Sequence, residues 1–380
     1  MHNTNQNILT MASVNISLIG GQPMPVHMGL LDRKYDYVVF VHSKETKENA
    51  EAIKKVGNYP AGLYEIHAVD YASFMPLLKA LLAQYQDDEV YVNVSGGTKI
   101  WSVALALEAI KHDNVHPFYV DQNGNYLDVK TGKSHVIDCN LNIDTMLRYH
   151  LQPASSHTPL TDYTREDIRV LEEVKKARKI NVTSFNELTI FKLNGNVGNT
   201  VFPISIYNGS SIDYDKTTGT VNLSITTYNG YNSRSYRFAS PHAKDIVFAS
   251  GWFEFEVAKA LSRVPTVAEV WLNVVIPYEK MNAKNEIDII CKIGNKLLFV
   301  ECKTKIKDNT DIDKFNSAVK NFGGMACKSL FVSNTKMNDM TIEKCKDNNI
   351  LYFSKFEGKD EDCKVLGDLL DKYVNQINKR

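Results

Sequence analysis

Between residue 15 and about residue 120, short apolar runs alternate with amphipathic stretches. NISLIG ends at Gly20-Gly21, and YDYVVFVHS, LYEIHAVD, EVYVNVSGG and HPFYVD follow as further β-rich runs. Between them, KETKENAEAIKKVG, YASFMPLLKALLAQYQ and TKIWSVALALEAIKHD carry apolar residues at helical spacing, the first with a stop at Gly57. Runs that are apolar throughout suit strands covered on both faces. Their alternation with helices predicts a parallel, doubly wound α/β sheet.

The pattern changes twice more. Residues 151–165 hold Pro, Ser, His and Thr and read as a linker. TREDIRVLEEVKKARK then predicts a helix, with Thr164 as N-cap and Asp167 at the capping-box position. From 182 to 240 the chain is rich in Asn, Thr, Tyr, Ser and Gly. LTIFKL, FPISIY and TVNLSITTY are short β runs there and predict antiparallel hairpins. From 241, GWFEFEVAKALSRV predicts a helix, and VAEVWLNVVIPY and NEIDIICKIGNKLLFVECKTK predict three strands. DKFNSAVKNFGGMACKSLFVSN predicts a helix and a fourth strand, so the order describes a mixed α/β domain. The expected organisation is one domain over 11–150, a connecting region over 151–240 and a second domain over 241–380.

Charge narrows the function only a little. Lys plus Arg and Asp plus Glu each total 44, so net charge is zero and the isoelectric point is about 7.1. That balance excludes a histone-like polybasic binder and leaves room for a local positive groove. No apolar run is long enough to predict a membrane span. Six dispersed cysteines form no CxxC pair, which argues against structural zinc and for reduced thiols. The first ten residues are a polar leader without a secretion-type apolar core, and a cytoplasmic location is expected.

The strongest chemical signal lies between Glu286 and Lys303. Asp288 interrupts the apolar run IDII and opposes Ile287 and Ile289 across the strand. After a turn at Gly294-Asn295, Glu301 and Lys303 in LLFVECK share one face. A hairpin brings Asp288 beside that pair. Carboxylates embedded in apolar strands repel one another and lose solvation. A hard divalent cation, Mg2+ or Mn2+, resolves the conflict and can stabilise charge on a phosphate. The bland alternative is a solvated surface hairpin. The apolar runs on both arms and the upstream acid Glu254 in GWFEFE weigh against it.

IDII…VECK resembles the PD-(D/E)XK nuclease superfamily. The resemblance implies that Asp288 and Glu301 bind metal, that Lys303 is catalytic, and that the Cys302 carbonyl adds a metal ligand. Glu254 corresponds to the helix Glu found upstream, with Glu256 as its competitor. Ile287 stands where the Pro of the superfamily name would be.

In the N-terminal half, VNVSGGTKIW places Ser95, Gly96, Gly97, Thr98 and Lys99 between a strand and a helix. Glycines admit a ligand close to the backbone, and a helix N-terminus favours anions. Neither GxxxxGK[ST] nor GxGxxG is present, so ATP hydrolysis and dinucleotide chemistry lose support. Gly20, Gly21, Gln22 and Pro23 follow the first strand, on the same sheet edge. SGGTK after a strand resembles the ligand motif of CARF (CRISPR-associated Rossmann-fold) domains. Joined to a PD-(D/E)XK domain, it resembles the ancillary nucleases of type III CRISPR systems. That resemblance implies a homodimer that binds cyclic tetra-adenylate on its two-fold axis through Ser95, Gly96, Gly97, Thr98 and Lys99, with Gly21, Gln22 and Pro23 as weaker contacts. It also implies a metal-dependent endonuclease cutting single-stranded DNA and RNA in antiviral defence, with nicking of duplex DNA left open. Two rivals stay open: a sensor that degrades the ring in its own N-terminal domain, and a ligand-independent restriction or repair nuclease.

YNGYNSRSYR gathers Tyr228, Tyr231, Tyr236, Arg234 and Arg237, either as a platform for unpaired bases or as an exposed hairpin. Lys303, Lys305 and Lys307 share one face, as a phosphate rim or as a solvated edge.

Overall fold

The computed structural model describes residues 11–190, 192, 197–277, 284–306, 310–322 and 327–377. The polar leader and Lys307 lie outside the described residues. The chain divides into two compact units, Met1–Pro153 with Phe322–Ala326, and Ala154–Asn321 with Cys327–Arg380.

The first unit runs β1 (Ser13–Leu18), α1 (Pro23–Leu31), β2 (Tyr37–His42), α2 (Lys47–Gly57), β3 (Ala61–Glu65), α3 (Tyr71–Gln84), β4 (Glu89–Asn93), α4 (Lys99–Ala109), β5 (Val115–Val120), β6 (Asn125–Asp128), β7 (Ser134–Val136) and α5 (Ile143–Tyr149). Its sheet has the order β3-β2-β1-β4-β5-β6-β7. The first five strands are parallel, as the alternating pattern predicts, and β6 and β7 add an antiparallel edge. Ile16, Val39 and Val92 pack with Phe74, Leu78, Trp101 and Leu105 in one apolar cluster. Val38, Phe40 and Phe118 pack with Val26, Met28, Ile53 and Tyr149 in another. Both faces of the sheet are therefore covered.

Several elements escape the sequence pattern. PMPVHMGLL forms α1, with Pro23 at its start and eight of nine residues buried. A helix buried on nearly all sides has no amphipathic period to detect. Helix α2 ends one residue later than the Gly57 stop implies, because Asn58 takes the left-handed position, φ 51°.

The second unit comprises β8 (Ser156–Pro159), α6 (Arg165–Ile180), α7 (Val182–Thr189), β9 (Ile204–Ser205), β10 (Ser211–Asp215), β11 (Thr220–Thr226), β12 (Ser233–Phe238), α8 (Ala243–Val247), α9 (Gly251–Ser262), β13 (Val267–Pro277), β14 (Lys284–Ile293), β15 (Lys296–Lys303), α10 (Thr310–Phe322), β16 (Lys328–Ser333), α11 (Asp339–Asp347), β17 (Leu351–Ser354) and α12 (Asp360–Ile377). One sheet has the order β17-β16-β15-β14-β13-β8, and a smaller one β12-β11-β10-β9. The hairpins expected over 182–240 are present in the smaller sheet.

The first residues of LTIFKL depart from the predicted strand, and Phe191 and Leu193 lie outside the described residues. Leu188 and Thr189 finish α7, whose first turn is capped by Asn181 accepting the Ser184 amide at 3.1 Å. Residues 156–159, linker by composition, pair with β13 as an edge strand. Thr164 and Asp167 form the expected capping box, and Asp167 Oδ1 also accepts the His242 amide at 3.0 Å, tying α6 to α8. Phe185, Leu223 and Phe238 share one apolar core with Val300, Leu330 and Phe253, so the hairpin segment and the six-stranded sheet are built around the same interior. Among the described residues no helix is long and apolar enough to cross a membrane.

Candidate active site

Strands β14 and β15 are a tight antiparallel pair, registered Ile289 to Val300 and Ile290 to Phe299. One step further on, Asp288 and Glu301 face each other across the ladder. Asp288 Oδ2 accepts the Cys302 amide at 2.7 Å, and Glu301 is ion-paired with Lys303. Alternation along β15 sends the Cys302 side chain the other way, into the apolar core at 5% exposure. The hairpin thus assembles Asp288, Glu301 and Lys303 as the sequence predicts.

The competition between the two helix acids is resolved by helical geometry. Residues two apart in a helix do not share a face. Glu254 stands in the first turn of α9 and is electrostatically coupled to Asp288 and Glu286. Glu256 points elsewhere: it is buried, 3.1 Å from Lys175, beneath Gly358. A Cβ at Gly358 would stand 2.4 Å from Glu256 Oε1, and the glycine's φ is +76°.

Burial first and like charge second set the electrostatics. Burial, then Asp288, holds the Glu254 carboxyl well above the ordinary range. Burial, then Glu301, pushes Asp288 up to about 8, against the opposing Cys302 amide. Glu301 is raised by burial, which Lys303 opposes. For Lys303 burial acts downward, but Asp288 and Glu301 outweigh it and raise the ammonium above its usual value.

The sign of the resulting stability effect follows. Asp288 has a folded pKa above its unfolded value of 3.8. Its neutral form is favoured on folding, so that stability is full below the unfolded pKa and is lost as pH rises toward about 8. Metal-free Asp288→Asn is expected to melt higher than the parent at pH 8, by roughly 3–10 °C, with little difference at pH 4. Thermal melts across pH in chelator test this. Parallel curves for the two proteins would show that Asp288 carries no such burden.

Sequence reasoning missed four neighbours. Glu286 lies two residues before Asp288 on the same strand face and raises the carboxyls of Glu254, Asp288 and Glu301. The Glu-x-Asp spacing could have found it, as Glu-x-Lys found the other arm. Asn273 lies across from Asp288, since Leu272 pairs with Ile289 and Val274 with Ile287, and it adopts φ 51° inside a strand. Ser250, φ 73°, opens α9, and its hydroxyl meets that of Thr304 at 3.3 Å, just beyond Lys303. Non-glycine residues in this conformation are costly and concentrate at functional sites. No sequence motif announces them. A polar cleft of about 500 Å3, lined in part by Glu254, Asn273, Glu286, His157 and Lys244, opens beside the cluster.

In kind, the donors suit a hard divalent ion: half-buried carboxylates in mutual repulsion beside a strand backbone. Among the described residues, no three carboxylate, His or Cys side chains are gathered closely enough to cage one. The carboxylates instead use internal donors, Asp288 the Cys302 amide and Glu301 the Lys303 ammonium.

In the first unit, β1 and β4 are adjacent at the centre of the sheet, where the strand order reverses, and the two glycine loops leave their C-terminal ends side by side. The loops interlock through backbone. A Cβ on Gly96 would stand 2.0 Å from the Leu18 carbonyl oxygen, and one on Gly20 would stand 2.9 Å from the Gly97 nitrogen. Ser95 Oγ accepts the Val120 amide at 2.6 Å, and Thr98 caps α4 by accepting the Trp101 amide at 3.3 Å. Pro23 is buried at the start of α1. Gly21 and Lys99 are exposed, and Gln22 is half-buried with no capping bond from its side chain. Ser95, Gly96, Gly97, Thr98 and Pro23 thus build the loops, and Gly21, Gln22 and Lys99 are the more open positions.

Residues 14–145 match the family model of the Card1 CARF domain, and residues 243–374 match that of the Card1-like endonuclease domain. The chain is similar to Can2 from Sulfobacillus thermosulfidooxidans, solved in complex with cyclic tetra-adenylate, at 19% identity and TM-score 0.68, covering 95% of this chain and 99% of that one. It is similar to protein VC1899 from Vibrio cholerae, at 17% identity and TM-score 0.70, covering 95% of this chain and 97% of that one. A type III CRISPR defence DNA nuclease activated by cyclic oligoadenylate matches at 14% identity and TM-score 0.54, over 87% of this chain and 46% of that one. At these identities the likeness is one of fold. No curated protein matches this chain.

Proposed function

We propose that this chain, whose residues 14–145 match the Card1 CARF domain and whose residues 243–374 match the Card1-like endonuclease domain, is a metal-dependent endonuclease of type III CRISPR defence, activated by cyclic tetra-adenylate. The observation that carries the reading is the half-buried set Asp288, Glu301 and Lys303, placed by a strand hairpin inside the endonuclease domain, with Glu254 brought to it by α9. The similar Can2 fold, solved with cyclic tetra-adenylate, supports the choice of ligand.

Asp288, Glu301 and the Cys302 carbonyl, with Glu254 nearby, would hold Mn2+ or Mg2+. A bound ion of that kind supplies Lewis acidity for attack on a phosphodiester. Lys303, ion-paired with Glu301 and close to Asp288, would steady negative charge on the phosphate. The substrates proposed are single-stranded DNA and RNA. Lys99, Gly21 and Gln22, at the open surface of the paired loops, would contact the ring, with the α1 and α4 N-termini favouring its phosphates. The active form proposed is a homodimer, and activation requires that the ligand bind one dimer arrangement more tightly than another.

Labelled single-stranded DNA and RNA incubated with Mn2+, with and without cyclic tetra-adenylate, provide the test. Cleavage is expected only with both metal and ring. Equal rates without the ring would remove the sensor, and no cleavage under any condition would remove the nuclease.

A further inference from the structure

A second cleft in the Ala154–Arg380 unit, of about 630 Å3, has a different character. Helix α6 lines one wall with Lys175, Arg178 and Lys179, whose spacing of three and four residues puts them on one face. Lys359 faces them from the loop before α12. Two of the four cations are already matched, Lys175 by Glu256 at 3.1 Å and Lys359 by Glu357. Among the described residues, Arg178 and Lys179 have no such carboxylate.

Arg178 is the unusual member. Its guanidinium lies over the Trp252 ring at 3.8 Å, and its Nε is buried with no hydrogen-bond partner. Partial desolvation of a guanidinium costs stability, and an anionic oxygen in the cleft bonding its outer nitrogens would offset that cost. Tyr228 stands at the lip. Its hydroxyl accepts the Val182 amide at 3.1 Å, which pins the residue, while 67% of it stays exposed. A pinned, exposed aromatic ring is a stacking surface.

The cleft and the carboxylate cluster lie on two faces of the same helix, α9. Trp252 and Glu254 share the first turn of α9, one toward each site. Asn334, on the cleft wall, donates its backbone N–H to the Lys303 carbonyl at 3.0 Å. We infer that this cleft is a flanking-nucleotide subsite for the single strand cut at the cluster, with Arg178 and Lys179 taking a phosphate and Tyr228 a base. The inference rests on the nuclease reading of the neighbouring site.

The test measures binding of a labelled single strand of about twelve nucleotides to the full chain, in a cleavage-deficient Lys303→Ala background with cyclic tetra-adenylate, across salt concentration. Arg178→Gln and Lys179→Ala are each expected to weaken binding roughly three- to tenfold, and each to lower the slope of log K against log salt by about 0.7, the loss of one phosphate contact. Tyr228→Ala is expected to weaken binding with the slope unchanged. Lys179 is exposed, so its variant keeps the test valid should Arg178→Gln fold poorly. Unchanged affinity and slope in Arg178→Gln and Lys179→Ala would overturn the subsite. A parent chain that cuts no strand would sink the nuclease reading separately, and the binding measurements would still decide whether the cleft holds a strand.

Discussion

Lys303→Ala is expected to lower metal-dependent strand cleavage by roughly a hundred- to ten-thousandfold, the range for removing a positioned catalytic group. Lys303 is the cation that faces Asp288 and Glu301 from within the cluster. It is ion-paired with Glu301 at the end of a well-registered hairpin. Its removal takes a positive charge from the place where a phosphate would develop negative charge, and leaves two half-buried carboxylates without their counter-ion. The second consequence is separable from catalysis. Metal-free Lys303→Ala should melt below the parent near neutral pH, and added Mn2+ should restore part of the loss. Glu301→Gln should be comparably inactive yet melt no lower, because it removes a repelling carboxylate. The double variant should be little worse than either single one, since groups that act as a unit are not additive. Single-turnover cleavage with saturating cyclic tetra-adenylate reads the first effect, and melts in chelator read the second. Substantial cleavage by either single variant would place the chemistry elsewhere in the chain. Ring consumption persisting in both would favour degradation by the N-terminal domain.

What the sequence disclosed about this site, and what it withheld, follows from the range of the interactions involved. Asp288, Glu301 and Lys303 sit on two consecutive strands joined by a turn at Gly294, φ +53°. Alternation and a short turn therefore suffice to bring them together. Gly96 and Gly97 mark a close approach visible as a motif, although its partner, the Leu18 carbonyl, lies far back in the chain. The choice of Glu254 over Glu256 needed the helix rotated against real neighbours, Asp288 for one and Lys175 for the other. Asn273 and Ser250 carry their signal in backbone torsion, which composition does not express. In the fold, α1 was invisible because it is buried nearly all round, and β8 because an edge strand of Ser, His, Thr and Pro looks like a linker. The basic cleft was partly legible. Tyr228 belonged to the aromatic-basic stretch, but its cationic partners come from α6 and not from Arg234 or Arg237 beside it in sequence.

Leu107→Glu is expected to convert a dimer into a monomer and to reduce ring-stimulated cleavage by at least about a hundredfold, the loss expected if activation requires two copies. Helix α4 buries Trp101, Ala104, Leu105 and Ala109 against its own unit. Ile100, Val103, Leu107 and Ile110 are 48%, 58%, 56% and 49% exposed. Their spacing of three, four and three residues forms a continuous apolar stripe, the pattern of a helix that meets another helix. Exposed apolar patches of this kind mark interaction surfaces. The helix begins at Lys99, the last residue of the SGGTK loop, so a two-fold axis pairing α4 with its copy also brings the two loops toward that axis. A ring with its own two-fold symmetry could then be read equally by both copies. A glutamate at 107 sets like charges against each other near that axis, and its exposure in the single chain means that the fold of the unit does not depend on it. Sedimentation should give twice 42.9 kDa for the parent and 42.9 kDa for the variant. Calorimetry should show tight ring binding by the parent and weak binding by the variant. A parent that sediments as a monomer with the ring bound, or a Leu107→Glu chain that remains dimeric and ring-activated, would separate α4 from the switch and leave its apolar stripe to another partner.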